Sequence, residues 1–413
     1  MTKMIQEKPT AKEKAAPFDC SHALRLSARE WAVVLVALVA LIWLAPVVWE
    51  RVERFNPGGD YRMPYKLSND YWHYRRHCRR ACAREKTPVV GDSVVWGHYV
   101  APDQTLSHYL NEVSGNTRFA NLGLDGTHPA ALAGLLRHYA GGISGRTVLL
   151  HFNPLWMTSE KHDLQTTKEF RFNHPRLVPQ FRPPIPCYRA SFSTRLWATI
   201  EQRAPFFSWT SHLRCAYWDD MGLHGWTLEH PVANPLTPLR AGLPLPLPAG
   251  EAAPQQRAGL TARKQNPAWV EPDESLQWRF FRNSILALRE RDCNVFVLVG
   301  PFNEHTLGEP GRAGYDRIKN EIEAWLQAHE IPHMAPPPLP AALYVDTSHP
   351  VAQGYALLAE QLLDNAAFRS WLGAGPETPR PTQRPEPVVP NAAALPPNLL
   401  QKCCSSLANT KKR

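Results

Sequence analysis

The segment Trp31–Trp49, WAVVLVALVALIWLAPVVW, constrains this chain more than any other. It runs 19 residues without a charge. At about 1.5 Å of rise per residue, a helix of that length crosses a bilayer core. Trp31 and Trp49 stand at its ends, where indole rings suit the membrane–water boundary, and Trp43 lies deeper. A buried core helix and a cleaved signal peptide are the alternatives. The length and purity of the run argue against the first. The lack of a small-x-small site after Pro46 argues against the second. The segment therefore reads as an uncleaved signal anchor. Basic residues flank it almost evenly: Lys12, Lys14, Arg25 and Arg29 before, Arg51, Arg54, Arg62 and Lys66 after. Lys3 and Lys8 tip the balance toward residues 1–30 inside. The expectation is a single-pass protein of a bacterial cytoplasmic membrane with its body on the periplasmic side.

The 413 residues carry 46 Lys and Arg against 37 Asp and Glu, a net charge of +9 that invites a nucleic-acid reading. The position of the charge weakens that reading. Residues 50–86 hold ten basic and five acidic side chains, and the tail 374–413 holds six and two. The body, 87–373, carries −2. The excess thus lies beside the anchor and in a Pro-rich tail expected to be disordered, and no nucleic acid is expected as a partner. Residues 50–86 read as a basic juxtamembrane neck. Within it, Tyr71–Arg84 (YWHYRRHCRRACAR) looks helical. Its arginines 75, 76, 79, 80 and 84 leave open a binder of anionic lipid or nucleic acid. Cys78, Cys82, His73 and His77 can be drawn as a metal cluster, but structural zinc sites need a second matched pair of ligands. A solvated face with two half-buried thiols is the plainer reading, and no metal or cofactor is implied.

From residue 87 the pattern becomes α/β. Thr87–Val90, Phe119–Leu124, Thr147–Phe152 and Asn294–Val299 are strand candidates. Residues 94–113, Ala130–Tyr139, Leu276–Arg291, Asp316–Glu330 and Gly354–Trp371 read as helices. Alternation of this kind predicts a mostly parallel sheet covered on both faces. Residues 157–270 interrupt it with weak periodicity and a Pro-dense stretch from Pro231 to Pro254. They read as an insertion draped over the carboxyl edge of the sheet, because a simple α/β connection is much shorter.

The chemistry gathers at strand ends. The first strand ends in Gly91-Asp92-Ser93. A Ser at a strand-to-helix turn is exposed at the carboxyl edge beside a helix amino end, a placement suited to a nucleophile. Far downstream, Asp346 and His349 sit three apart in YVDTSHP, so that the carboxylate can hold the imidazole while the ring reaches a Ser. Asn121-Leu-Gly-Leu-Asp-Gly126-Thr follows the second strand, Asn153 the third, and Val299-Gly300-Pro301 closes the fourth.

In order, spacing and context these elements resemble the SGNH (GDSL-type) hydrolase superfamily over roughly residues 87–160 and 275–370. The resemblance implies a flavodoxin-like three-layer α/β/α fold. It also implies Ser93 as nucleophile, His349 as general base and then acid, and Asp346 as the group that orients it. The backbone N–H groups of Ser93 and Gly126, with the Asn153 amide, would form an oxyanion hole. The third motif departs from the usual Gly-x-Asn-Asp. Here it is His151-Phe152-Asn153-Pro154, which alters the loop and leaves His151 either a second acid/base or structural. The same choice applies to His128. Asn303-Glu304-His305 is read as lining the cleft or capping a loop. Cys187, Cys215 and Cys293 are isolated, with disulfides open, and Cys403-Cys404 as an acylation site lacks a supporting motif.

The expected activity is a serine esterase acting on O-acyl bonds through an acyl-serine intermediate. An O-acyltransferase would use the same residues. The substrate class implied is an ester, with an acetylated envelope or exported carbohydrate the guess by analogy. A non-catalytic, glycan-binding envelope protein on the same fold is the reading from a different class.

Overall fold

The computed structural model describes residues 26–237, 239 and 264–374. Residues 1–25 of the expected cytoplasmic segment lie outside the described residues. So do 240–254 of the Pro-dense stretch and the tail expected to be disordered, with Cys403 and Cys404.

A helix spans Ala28–Val52, and among the described residues it alone is long and apolar enough to cross a membrane by length and composition. It begins three residues before the uncharged run. Ser27 caps it, with the Ser27 N–H and hydroxyl both donating to Glu30 Oε2 at 2.7 and 2.8 Å. It ends where Glu53 turns extended.

Five strands form one parallel sheet: β1 (Thr87–Val90), β2 (Phe119–Asn121), β3 (Thr147–Phe152), β4 (Asn294–Val299) and β5 (His333–Met334). Their order is β2-β1-β3-β4-β5, and every pairing is parallel. The strands read as unbroken apolar runs because both faces are covered. Val90, Leu150 and Val297 enter one core with Leu135 and Ile285 of the helices Pro129–His138 and Leu276–Arg289. Val89, Leu149 and Phe296 enter the other, with Leu110 and Leu358 of the helices Leu106–Val113 and Ala352–Asp364. The chain leaves β1 toward β2 on one side and pairs β1 with β3 on the other. That reversal opens a crevice at the carboxyl ends, where ligands of such sheets bind.

Several expectations change in detail. The helix expected over 94–113 is a four-residue turn, Ser93–Trp96, then a separate helix Leu106–Val113, because the chain swings at Gly97 and meets Pro102. The helix expected over Gly354–Trp371 breaks at Asn365, whose side chain caps the helix Ala366–Gly373 by accepting from Phe368 N at 2.9 Å. Strand β5 went unread, since two residues between prolines give no alternation.

The neck differs most. The helix Tyr71–Ala83 is not a solvated face, and its thiols are buried rather than half-buried. Tyr71, Tyr74 and Cys78 lie in the same core as the sheet. Four of the five arginines bond within the chain: Arg75 donates to His138 O, Arg76 pairs with Glu53, Arg79 with Glu50, and Arg84 reaches Pro57 O, while Arg80 is exposed with its guanidinium 5.7 Å from the Phe55 ring centroid. His73 pairs with Tyr61 and His77 with Asn121 O, so the two imidazoles are engaged away from a shared metal. Among the described residues no group of three or more His, Cys, Asp or Glu is placed to hold a metal.

Among the described residues the insertion contains the helices Phe192–Arg203, Pro205–Tyr217 and Leu223–Glu229. Its first part lies over the carboxyl edge, and its last described residues meet the loops after β3 and β4 there, with Gln265 N donating to Thr306 O and Val270 N to Met157 O. Pro205–Tyr217 packs instead on Ala28–Val52 and Tyr71–Ala83. A fully buried polar cluster seals that junction. His212 sits between Asp70 (2.6 Å) and Glu53 (2.9 Å), and Glu53 also binds Arg76 and Tyr217.

Candidate active site

Ser93 opens the short turn after β1. It is held from beneath by Asp92, a buried carboxylate that acts as a hub. Asp92 Oδ1 accepts from Val94 N at 2.9 Å, and Oδ2 accepts from Asn153 Nδ2 at 2.8 Å and from Trp156 Nε1 at 3.1 Å. His151 Nδ1 lies 3.2 Å from Oδ1, although neither ring nitrogen makes an aligned hydrogen bond. Burial alone would raise the Asp92 pKa. The neighbouring His151 ring and these hydrogen bonds outweigh it and hold the group at about 2. Gly91 is required here: a Cβ would come within 2.6 Å of Val95 Cγ2 and 2.8 Å of His151 Cβ.

Above the turn, Ser93 Oγ is 2.8 Å from His349 Nε2. His349 Nδ1 is 2.8 and 2.9 Å from the two oxygens of Asp346. Asp346 Oδ1 also accepts from the backbone of Ser348 and His349, each at 2.9 Å, which fixes the carboxylate within its own turn. Burial pushes the Asp346 pKa up, but the His349 ring and these N–H donors bring it down to about 2. Because Nδ1 faces a carboxylate, it carries the proton. Nε2 is then the free lone pair aimed at the Ser93 hydroxyl. The β4 loop holds this turn in place, with Asn303 N donating to Thr347 O and Asn303 Nδ2 to Asp346 O. Asn303 therefore positions the turn rather than lining the cleft. Glu304 pairs with Arg312, and His305 with Leu339 O.

The three candidate oxyanion donors stand differently. Among the described residues no hydrogen bond runs from the backbone N–H of Ser93 or Gly126. Gly126 has φ +69°, and a Cβ there would collide with the Asn173 side chain of the insertion, so only glycine fits. Asn153 is buried, spends one amide hydrogen on Asp92 and accepts from Leu155 N at 3.0 Å, which leaves its second hydrogen uncommitted. Among the described residues no hydrogen bond joins Gly126 or Asn153 directly to Ser93. Asn153 meets the Ser93 turn through Asp92.

His151 lies under the turn, away from its open side, and His128 is likewise structural. His128 Nδ1 accepts from Ala131 N, Nε2 bonds to Asn173 O, and burial lowers its pKa to about 3.

One pair escaped the sequence reading. His98 Nδ1 is 2.7 Å from Asp125 Oδ1, and the His98 ring lies 5.5 Å from the His349 ring, with Tyr99 edge-on to both. The hydrogen bond to Asp125 raises the His98 pKa. The available signal was the place of Asp125 beside Gly126, but His98 and Asp125 are distant in sequence and meet only through the sheet.

Compared with known protein families the chain matches none, and compared with curated proteins it likewise matches none.

Proposed function

We propose that this protein is a membrane-anchored serine esterase of the SGNH type, with its body outside the cytoplasm. The observation that carries the reading is the unbroken chain Ser93–His349–Asp346, at 2.8 Å per link, at the carboxyl edge of a parallel sheet. The strand order and the uncommitted N–H groups of Ser93 and Gly126 support it. In this reading Ser93 Oγ attacks an ester carbonyl while its proton passes to His349 Nε2. Asp346 stabilises the imidazolium that results. The carbonyl oxygen, now negative, takes hydrogen bonds from Ser93 N, Gly126 N and the second Asn153 amide hydrogen. Each such donor is worth about 3–4 kcal/mol in the transition state. His349 then protonates the leaving alcohol, and the acyl group stays on Ser93. Water frees it as an acid; a sugar hydroxyl would instead carry it away, using the same residues.

The test is the full chain in detergent, exposed to a fluorophosphonate probe and to p-nitrophenyl acetate. The reading expects labelling and turnover that Ser93→Ala abolishes. Native protein that neither labels nor turns over, or Ser93→Ala that labels equally, would reject it. Adding an oligosaccharide acceptor and weighing the products separates hydrolysis from transfer.

A further inference from the structure

We infer that the insertion and the neighbouring end of the helix Pro129–His138 form a second membrane contact, with Phe181, Phe192, Leu196 and Trp197 in the bilayer interface and Arg137, Arg182 and Arg203 against the phosphates of anionic lipids. The inference rests on the reading of Ala28–Val52 as membrane-spanning.

Two separate observations carry it. The first is continuity with that helix. Near its end, Trp49 lies 6.1 Å from Trp209, measured between ring centroids. Trp209 lies 5.5 Å from Phe206, Phe206 5.4 Å from Phe207, and Phe207 5.1 Å from Trp197. This aromatic series opens onto an uncovered apolar strip. Phe192 is 70% exposed, Trp197 48%, Phe181 46% and Leu196 43%, and Phe181 and Phe192 meet at 5.8 Å. Phe192 and Leu196 are one turn apart on a single helix, so they share a face. An uncovered strip of Trp and Phe leading away from a membrane helix has the composition of the bilayer interface.

The second observation is charge. Beside the strip is a cavity of about 820 Å³, and Phe181 is on its wall together with Arg137, Arg182 and Arg203. None of these three guanidiniums has a hydrogen-bond or carboxylate partner among the described residues. Glu290 is the one acidic side chain on the described wall. His138, in the same wall, has its pKa lowered to about 4, first by burial and then by Arg137 and Arg203. Guanidiniums left without carboxylates next to exposed aromatics suit phosphate oxygens, which they grip in a planar fork. The insertion would thus seat the body flat on the bilayer and fix the height of the Ser93 cleft above it.

The experiment uses the full chain in vesicles of phosphatidylcholine, with or without phosphatidylglycerol. The vesicles carry a trace of lipid with a diazirine near the ester end of one acyl chain. After irradiation and digestion, adducts are mapped by mass spectrometry. Adducts are expected on 28–52 and on 181–203. Those on 181–203 should rise about threefold or more with phosphatidylglycerol. Phe192→Ser with Trp197→Ser should cut them by about fivefold or more at an unchanged thermal midpoint, because both side chains are exposed. Arg137→Gln with Arg203→Gln should remove the dependence on phosphatidylglycerol. Adducts on 28–52 alone, or adducts on 181–203 indifferent to the serine variants, overturn the inference and leave the anchor standing. Equal adducts in both vesicle types discard the phosphate contact. Absence of adducts on 28–52 overturns the anchor itself.

Discussion

Asp92→Asn is the most searching test of how the turn at Ser93 is built. The substitution is nearly isosteric, so any effect comes from charge and hydrogen bonding. The Asp92 pKa falls from an ordinary 3.8 to about 2, and the side chain is 5% exposed. A depression of that size corresponds to about 2–3 kcal/mol of stability at neutral pH. Asparagine loses this and adds a conflict. If its oxygen keeps the cap on Val94 N, its amide meets two other donors, Asn153 Nδ2 and Trp156 Nε1. If it flips, the cap is lost instead, at about 1 kcal/mol. A buried donor left unpaired costs about 1–3 kcal/mol. We therefore expect a loss of about 3–5 kcal/mol, seen as a fall of about 6–12 °C in the thermal midpoint. The pH dependence carries the sign. A depressed carboxylate stabilises the native state fully above pH about 4, and that contribution disappears as pH falls through about 2. The native protein should lose the increment across that window, and the variant should not. Labelling by a fluorophosphonate should also slow by about 100-fold, because the Asn153 amide loses its anchor. A variant within 2 °C of native, with the same acid profile, would refute the hub.

Three further outcomes follow from the geometry. Asp346→Asn should lower turnover by about 10³–10⁴-fold by disfavouring the tautomer with Nδ1–H, with the fold kept, as measured by p-nitrophenyl acetate hydrolysis and circular dichroism. His212→Gln should destabilise by about 3–5 kcal/mol in chemical denaturation, because it leaves Asp70 and Glu53 buried together without their shared cation. Burial opposes a charged His212, but the two carboxylates raise its pKa to about 9. Its stabilisation is thus full below pH about 6.5 and lost as pH rises to about 9, a slope the variant should lack. Gly91→Ala should cost about 1–3 kcal/mol and reduce labelling of Ser93, since the added Cβ meets Val95 and His151 below contact distance.

Much of the site was legible in the sequence because its parts are local. A glycine-aspartate-serine step after an apolar β-branched run marks a strand end. Asp and His three apart on one turn can pair without help from the rest of the chain, and Asp346 does hold His349. The hub at Asp92 was not legible. It draws donors from Asn153 and Trp156, some 60 residues away in sequence, and no periodicity records a buried hydrogen bond.

The apolar helix and the parallel sheet follow from the sequence itself. An uncharged run of bilayer length can be solved only by a helix with few choices of surroundings. Strands apolar at every position must be covered on both faces. The tertiary structure alone decided the rest. Whether Ser93 and His349, 256 positions apart, come to 2.8 Å depends on the order of the strands between them. Whether the basic neck met solvent or the core depended on which surface it packed against, and Glu53 gave the Arg76 charge a partner inside the protein. A pattern of residues states which side of an element avoids water. It does not state what covers that side, because the covering surface is assembled from segments far away along the chain.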